Sequence, residues 1–287
     1  MAARLRPMTA DDGPGVLAVM RAAFTDLDRR HNRPPQPWAD DDAGPLVRMR
    51  HLAATDPEGV WVAEAAGRVV GCAQAILREG IWGLSLFVVD PAHQGTGLGR
   101  QLMERALAYG AGARGGLILS SPDERAMAFY ARAGFDLRPA VDLKGTVARP
   151  PAPPAAVREG RWPDDRPLVD GASRAVRTAA HGDDVGALIA AGGRLLVDDR
   201  GGFAVVRSGE VRLLAAAGEE VASDLLRAAL ATVAPGGPAA ADFVAAGHDW
   251  AVAAGLEAGL ELRVAGPIFT RGDVGPMRPY LPSGSYL

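Results

Sequence analysis

Cysteine, lysine and long apolar runs are what this 287-residue chain has least of. Its only cysteine, Cys72, has no partner for a disulfide within the chain. No N-terminal stretch resembles a signal peptide and no run is long and apolar enough to span a bilayer, so a cytoplasmic protein is expected. Lysine is scarce, and no Gly-Lys-Ser or Gly-Lys-Thr occurs, which removes the nucleoside-triphosphate P-loop. A formal net charge of -3 supplies no general attraction to nucleic acid or to an anionic membrane surface.

What is present describes a globular protein: 48% of residues are hydrophobic and 23% charged, and the length favours two domains over one core. The segment 148–156, ARPPAPPAA, contains four prolines that donate no backbone hydrogen bond and favour extended geometry, so it is expected to be a linker. The chain then divides into residues 1–147, a linker at 148–170 and a second domain at 171–287. Thr9 to Asp12 caps a periodic helix from about Pro14 to Leu27. Val60 to Glu64 and Val69 to Leu77 form a hairpin around Gly67-Arg68, and Leu84 to Val89 a third strand. A further helix carries Leu98, Leu102, Ala106 and Tyr109 on one side. It is followed by a strand from Leu117 to Ser120 and a helix from Asp123 to Ala133, ended by Gly134.

The second half repeats the first. Leu117 to Arg138 aligns without a gap on Asp242 to Arg263 at an offset of 125, and QLMERALA from Gln101 falls on DLLRAALA from Asp224 at 123. Near the start, LRPMTADD resembles VRTAAHGDD at an offset of about 171. The shrinking offset leaves the second copy roughly 48 residues shorter, and the missing part corresponds to the region between Asp12 and Val60.

Between the third strand and the next helix stands Gln94-Gly-Thr-Gly-Leu-Gly99. Alternate glycines there let backbone N–H groups converge on one concavity, and the helix N-terminus adds its positive end, an arrangement suited to phosphate or to an empty flexible turn. The dinucleotide fingerprint needs different spacing and a parallel β-α-β unit. The run LFVVDPAHQGTGLGRQL resembles motif A of the GCN5-related N-acetyltransferases, with Gln94, Gly97 and Gly99 at the positions of Q/R-x-x-G-x-G/A. AMAFYARAGFDL, from Ala126 to Leu137, is similar to that family's later A-x-x-F-Y-x-x-x-G-F segment. The resemblance covers about residues 4 to 146, and the remainder is similar to the degenerate second half of tandem members.

This resemblance implies an α/β fold of two tandem domains, each a mixed, mostly antiparallel sheet flanked by helices. It implies an N-acetyltransferase that takes acetyl-CoA as cosubstrate and needs no metal. Pantetheine is expected along the backbone of Phe87, Val88 and Val89, and pyrophosphate on the N–H groups of Gln94, Gly95, Thr96, Gly97, Leu98, Gly99 and Arg100. Asp123 stands where many members have asparagine and can equally cap its helix. Tyr130 matches the family's usual general acid, which protonates the leaving thiolate.

The base is more open: Glu79 and Glu64 are candidates, with a solvated strand-end carboxylate as the alternative for each, and His93 faces solvent or the coenzyme. Cys72, inside an apolar strand with no basic neighbour in sequence, is expected to be a small hydrophobe rather than a nucleophile. In the stretch from His31 to Asp42, Trp38 could line an acceptor pocket and Asp40 receive a cationic amine, unless Asp40 to Asp42 form only an exposed acidic loop. Carried to the second copy, the glycine segment falls on Ala217-Gly-Glu-Glu-Val-Ala222, where two carboxylates oppose a pyrophosphate, and Tyr130 falls on Gly255. The second half is therefore expected to bind no coenzyme, and to cover the first or shape an acceptor cleft. Expected partners are a small-molecule or peptide amine, with no nucleic acid and no membrane, and a monomer or homodimer. A non-catalytic acyl-CoA-binding module and an enzyme for longer acyl groups are the alternatives.

Overall fold

The computed structural model describes residues 3–34, 38 and 42–287. The protein is α/β, with two mixed, mostly antiparallel sheets flanked by helices. It divides into two compact units: Met1–Leu77 with Trp82–Ala113, and Arg78–Ile81 with Arg114–Leu287.

In the first unit, strand β1 (Arg4–Pro7) leads through a capping box, in which Thr9 N donates to Asp12 Oδ2 at 2.8 Å, into helix α1 (Gly13–Arg30) and then α2 (Ala43–Thr55). Strands β2 (Val60–Ala65), β3 (Arg68–Arg78) and β4 (Ile81–Val89) follow, in the spatial order β1-β2-β3-β4. The β2–β3 turn is Ala66-Gly67, with both residues at positive φ, the conformation that matches the twist of a two-residue hairpin. Helix α3 (Leu98–Tyr109) packs against β2. Its Leu98, Leu102, Met103 and Ala106 are buried, and Tyr109 Oη donates to the buried Asp56 carboxylate at 3.0 Å.

The second unit begins with β5 (Gly115–Leu119), α4 (Glu124–Arg132), β6 (Asp136–Arg138) and β7 (Ala140–Thr146). After residues 148–156, which form no helix or strand, come β8 (Val157–Glu159), α5 (Arg166–Arg177) and α6 (Asp184–Ala190). Then come β9 (Arg194–Asp198), β10 (Gly202–Arg207), β11 (Glu210–Ala216) and α7 (Glu219–Ala231). The chain finishes with β12 (Pro238–Ala245), α8 (Asp249–Ala258), β13 (Glu261–Val264), β14 (Ile268–Gly272) and β15 (Tyr280–Leu281).

The two copies exchange a strand. β14, late in the chain, lies between β5 and β6, pairing Phe269 with Ile118 on one side and with Leu137 on the other. β7 lies instead in the second sheet, whose order is β13-β7-β12-β11-β10-β9-β8. The repeat offsets hold from α7 onward, but the opening match needs correction. Val176 and Arg177 end helix α5, and the outer edge of the second sheet, beside β9, is supplied by β8. The second copy is shorter here, but by less than the expected 48 residues: α5 and α6, of 12 and 7 residues, lie between β8 and β9, where α1 and α2, of 18 and 13, lie between β1 and β2.

Candidate active site

In the first unit the segment from Gln94 to Arg100 joins β4 to α3. Gly95 and Gly97 sit at φ +76 and +84, where a side chain is strained, and a Cβ at either would meet nothing within 4 Å. They serve backbone direction and leave open space above the turn. Gly99 differs, because a Cβ there would lie 3.3 Å from Phe87 and 3.6 Å from Val89, so it sets how closely α3 approaches β4. Gly97 is the N-cap of α3 and offers no side-chain oxygen, so the first-turn N–H groups have no side-chain cap. Gln94 Nε2 donates to the Val89 carbonyl at 3.0 Å and Thr96 Oγ1 to the His93 carbonyl at 2.8 Å, which pins both ends of the turn. Val88 and Val89 are buried, Leu98 is buried beneath the turn, and the exposed Arg100 pairs with Glu104 at 3.1 Å.

In the second unit Tyr130 lies on α4 and is 5% exposed. Its ring meets Phe269 edge-on at 5.5 Å and Phe129 at 6.4 Å, and its hydroxyl has no hydrogen-bond partner among the described residues. Burial, reinforced by the Asp123 charge, holds the phenol above its ordinary range, so it keeps its proton at any physiological pH. Asp123 is the N-cap of α4, its Oδ1 accepting from Arg125 N at 2.9 Å and Ala126 N at 3.4 Å. Capping therefore accounts for the aspartate at this position.

The proposed bases are otherwise engaged. Glu79 occupies the two-residue β3–β4 turn with Gly80, both at positive φ. Arg174 donates to its carboxylate at 2.9 Å and Ala180 N at 3.0 Å, and these bonds hold its pKa at about 2. A carboxylate that binds protons so weakly is a poor base for an amine, which argues against Glu79 in that role. Glu64 accepts from Arg6 at 2.9 Å, and Arg6 also pairs with Asp12. His93 lies 3.6 Å from Asp90 in the loop before the glycines. Cys72 is fully buried beside Met8, and desolvation pushes its thiol up to about 12, the state of an inert core residue.

Trp38 packs on Phe24 at 6.2 Å with the Arg21 guanidinium 5.9 Å over its ring, and Arg21 also pairs with Asp42. Asp40 lies outside the described residues. Among the described residues no group of three His, Cys, Asp or Glu side chains could hold a metal ion, and no helix is long and apolar enough to cross a membrane.

The second copy's counterpart of the turn is Ala217 to Ala222. Gly218 caps α7 in extended geometry, and Glu219 and Glu220 fill the helix's first turn. β11 and β12 pair in parallel only at Glu210–Ala240 and Val211–Ala241. Farther along, Leu214 and Ala215 of β11 pair with Leu281 and Tyr280 of β15. The backbone beyond the divergence of these strands is thus occupied by the chain's own last strand, which sequence reasoning missed. It also missed Phe269 against Tyr130 and Arg174 against Glu79. Phe269 lies beyond the aligned repeat, which ends at Arg263, so no feature of the sequence pointed to it.

A family model described as "Acetyltransferase (GNAT) domain" matches residues 56–137. The chain is 30% identical over 136 residues to the N-alpha-acetyltransferase RimI of Mycobacterium tuberculosis, covering 45% of this chain and 82% of that protein. An assigned acetyltransferase from Pyrococcus horikoshii superposes with a TM-score of 0.78 at 17% identity, covering 99% of this chain and 95% of the other. A tandem GNAT protein from the clavulanic acid biosynthesis pathway gives 0.60 at 18% identity, covering 95% and 99%. At such identities the two structures speak for the fold.

Proposed function

Because the chain belongs to the GCN5-related N-acetyltransferase (GNAT) family, whose chemistry is acyl transfer from acyl-CoA to an amine, we propose that its N-terminal half transfers the acetyl group of acetyl-CoA to a primary amine. The observation that carries this reading is the turn at Gly95–Gly99, open above two left-handed glycines and leading into an uncapped helix N-terminus. Backbone N–H groups from Gln94 to Arg100 suit a pyrophosphate, and glycine permits its close approach. The backbone of Phe87 to Val89 is assigned to the pantetheine arm, and a backbone N–H near Val89 to the thioester oxygen.

The amine nitrogen attacks the thioester carbon, forming the C–N bond while the carbonyl oxygen takes up the electron pair. As that pair returns, the C–S bond breaks and Tyr130 gives its hydroxyl proton to the departing sulfur. The proton lost by nitrogen passes to water, which reprotonates Tyr130. Trp38 and Asp40 are assigned to the acceptor side. The likeness to an N-alpha-acetyltransferase makes the α-amino group of a peptide the first acceptor to try. The C-terminal half is assigned no coenzyme, since Glu219 and Glu220 oppose an anion there and β15 occupies the backbone of β11.

Calorimetry with acetyl-CoA tests the reading: one equivalent bound per chain supports it, and no binding overturns it. Thiol release in the presence of N-terminal peptides and small amines then separates an enzyme from a module that only binds coenzyme.

A further inference from the structure

The second unit contains a cavity of about 340 Å³ that the acetyl-transfer reading does not use. Its wall is assembled from the end of β6, the end of β12, the strand β14 and the stretch from Pro276 to Pro282. Two arginines, Arg138 and Arg278, line it, and none of the lining residues is acidic. That is unusual in a chain of net charge -3, whose other arginines are commonly held by carboxylates, as Arg78 is by Asp184 and Arg158 by Asp165 and Asp199.

The Arg138 guanidinium has neither an ion-pair nor a hydrogen-bond partner among the described residues. Arg278 spends one N–H on the Ala246 carbonyl at 2.7 Å, and a guanidinium carries five such donors. Thr270, only 2% exposed, also lines the cavity, and its hydroxyl has no hydrogen-bond partner among the described residues. That leaves the hydroxyl able to donate to or accept from a molecule in the cavity.

The remaining wall is largely apolar. Ile268 and Met277 are buried around it, while Leu137 stands 52% exposed at its rim. His248 adds rigidity and no charge. Its Nδ1 is 3.0 Å from the Ala245 carbonyl, its Nε2 accepts from Tyr280 N at 3.3 Å, and burial holds its pKa below the ordinary value.

We propose that this cavity binds a small amphipathic carboxylate, with the carboxylate on Arg138 and Arg278, a hydrogen bond from Thr270, and a compact apolar body against Leu137, Ile268 and Met277. Paired guanidinium donors suit the planar carboxylate, and the volume is that of a small-ligand site. The ligand's apolar body would also cover Leu137, which the fold leaves in water.

The full-length protein, without coenzyme, is titrated by calorimetry with 3-phenylpropionate, with its neutral analogue 3-phenylpropan-1-ol, and with inorganic phosphate. The acid is expected to bind with a dissociation constant of about 1 mM or tighter, a weak but measurable affinity. The alcohol and phosphate should each bind about tenfold more weakly, because one lacks the charge and the other the apolar body. Arg138→Gln, at an exposed position that leaves folding intact, should weaken the acid about fivefold, and Thr270→Val about threefold. Failure of the acid to bind, equal binding of acid and alcohol, phosphate binding as tightly as the acid, or unchanged affinity in Arg138→Gln would each overturn the assignment. None of these readouts involves acetyl transfer, so the test stands or falls apart from the proposed activity.

Discussion

Tyr130 combines deep burial with a hydroxyl that has no hydrogen-bond partner among the described residues. A core tyrosine ordinarily finds a partner for its O–H, so an unused one beside two aromatic rings is suited to a ligand atom. Tyr130→Phe is expected to lower kcat about a hundredfold, the usual size of a lost general acid, and to leave acetyl-CoA affinity unchanged by calorimetry. A turnover equal to wild type would remove the acid assignment. Because burial raises this phenol above its ordinary pKa of 10, its acid form persists through pH 10, and the rate profile should show no loss from it on that side. Glu79 makes the opposite case. Its carboxyl is depressed to about 2, so the Arg174 pair contributes stability fully above the ordinary value of 4.5 and loses it as pH falls through about 2. Both side chains are about half exposed, so solvent screening keeps that contribution small. Glu79→Gln should therefore leave turnover within about twofold and shift the melting temperature only slightly; a large loss of kcat would restore Glu79 as base.

At the scale of elements, the turn before α3 shows how glycines two residues apart, Gly97 and Gly99, can serve different ends. Gly97 is needed for backbone direction, so Gly97→Val costs about 1–2 kcal/mol for its left-handed conformation and places a branched side chain over the N–H groups. The expected result is at least about a tenfold loss of acetyl-CoA affinity with the fold retained, read by calorimetry and circular dichroism. The equivalent element of the second copy carries two obstacles rather than one. Replacing Glu219 and Glu220 with glutamine removes the charge but leaves β15 paired to Leu214 and Ala215, so coenzyme stoichiometry should stay at one per chain.

For the whole molecule, the exchange of β7 and β14 means that neither half of the sequence holds all of its own strands. Residues 1–147 made alone would lack β14 between β5 and β6, and with it Phe269, which is fully buried against Tyr130. That fragment is expected to be insoluble or to lack a cooperative melting transition, and adding the 148–287 fragment should restore both. Independent folding of 1–147 with full coenzyme binding would show the exchanged strand to be dispensable. In the intact chain, Phe269→Ala should cost about 3–5 kcal/mol, measured by denaturant unfolding, as expected for emptying a core aromatic site.

In the first copy α1, β2 to β5, α3 and α4 were legible in the sequence, as were the glycine turn and the duplication, because periodicity, positive-φ residues and caps act over a few neighbouring positions, whereas β1, α2, β6 and β7 were not read. Leu98, Leu102 and Ala106 on α3 and the helix stop at Gly134 are examples. The sequence by itself thus determined the family, the type of fold and where the glycine turn proposed for the coenzyme lies along the chain. Other features depended on residues far apart: Glu79 meets Arg174 across 95 positions, and Phe269 and β15 come from the last part of the chain. The backbone N–H and C=O groups that pair strands are the same at every residue, so the residues of β7 and β14 do not by themselves say which sheet each joins. Only the tertiary structure decided that exchange, because the choice depends on which neighbouring strands and which buried aromatic surface each strand meets when the chain is folded.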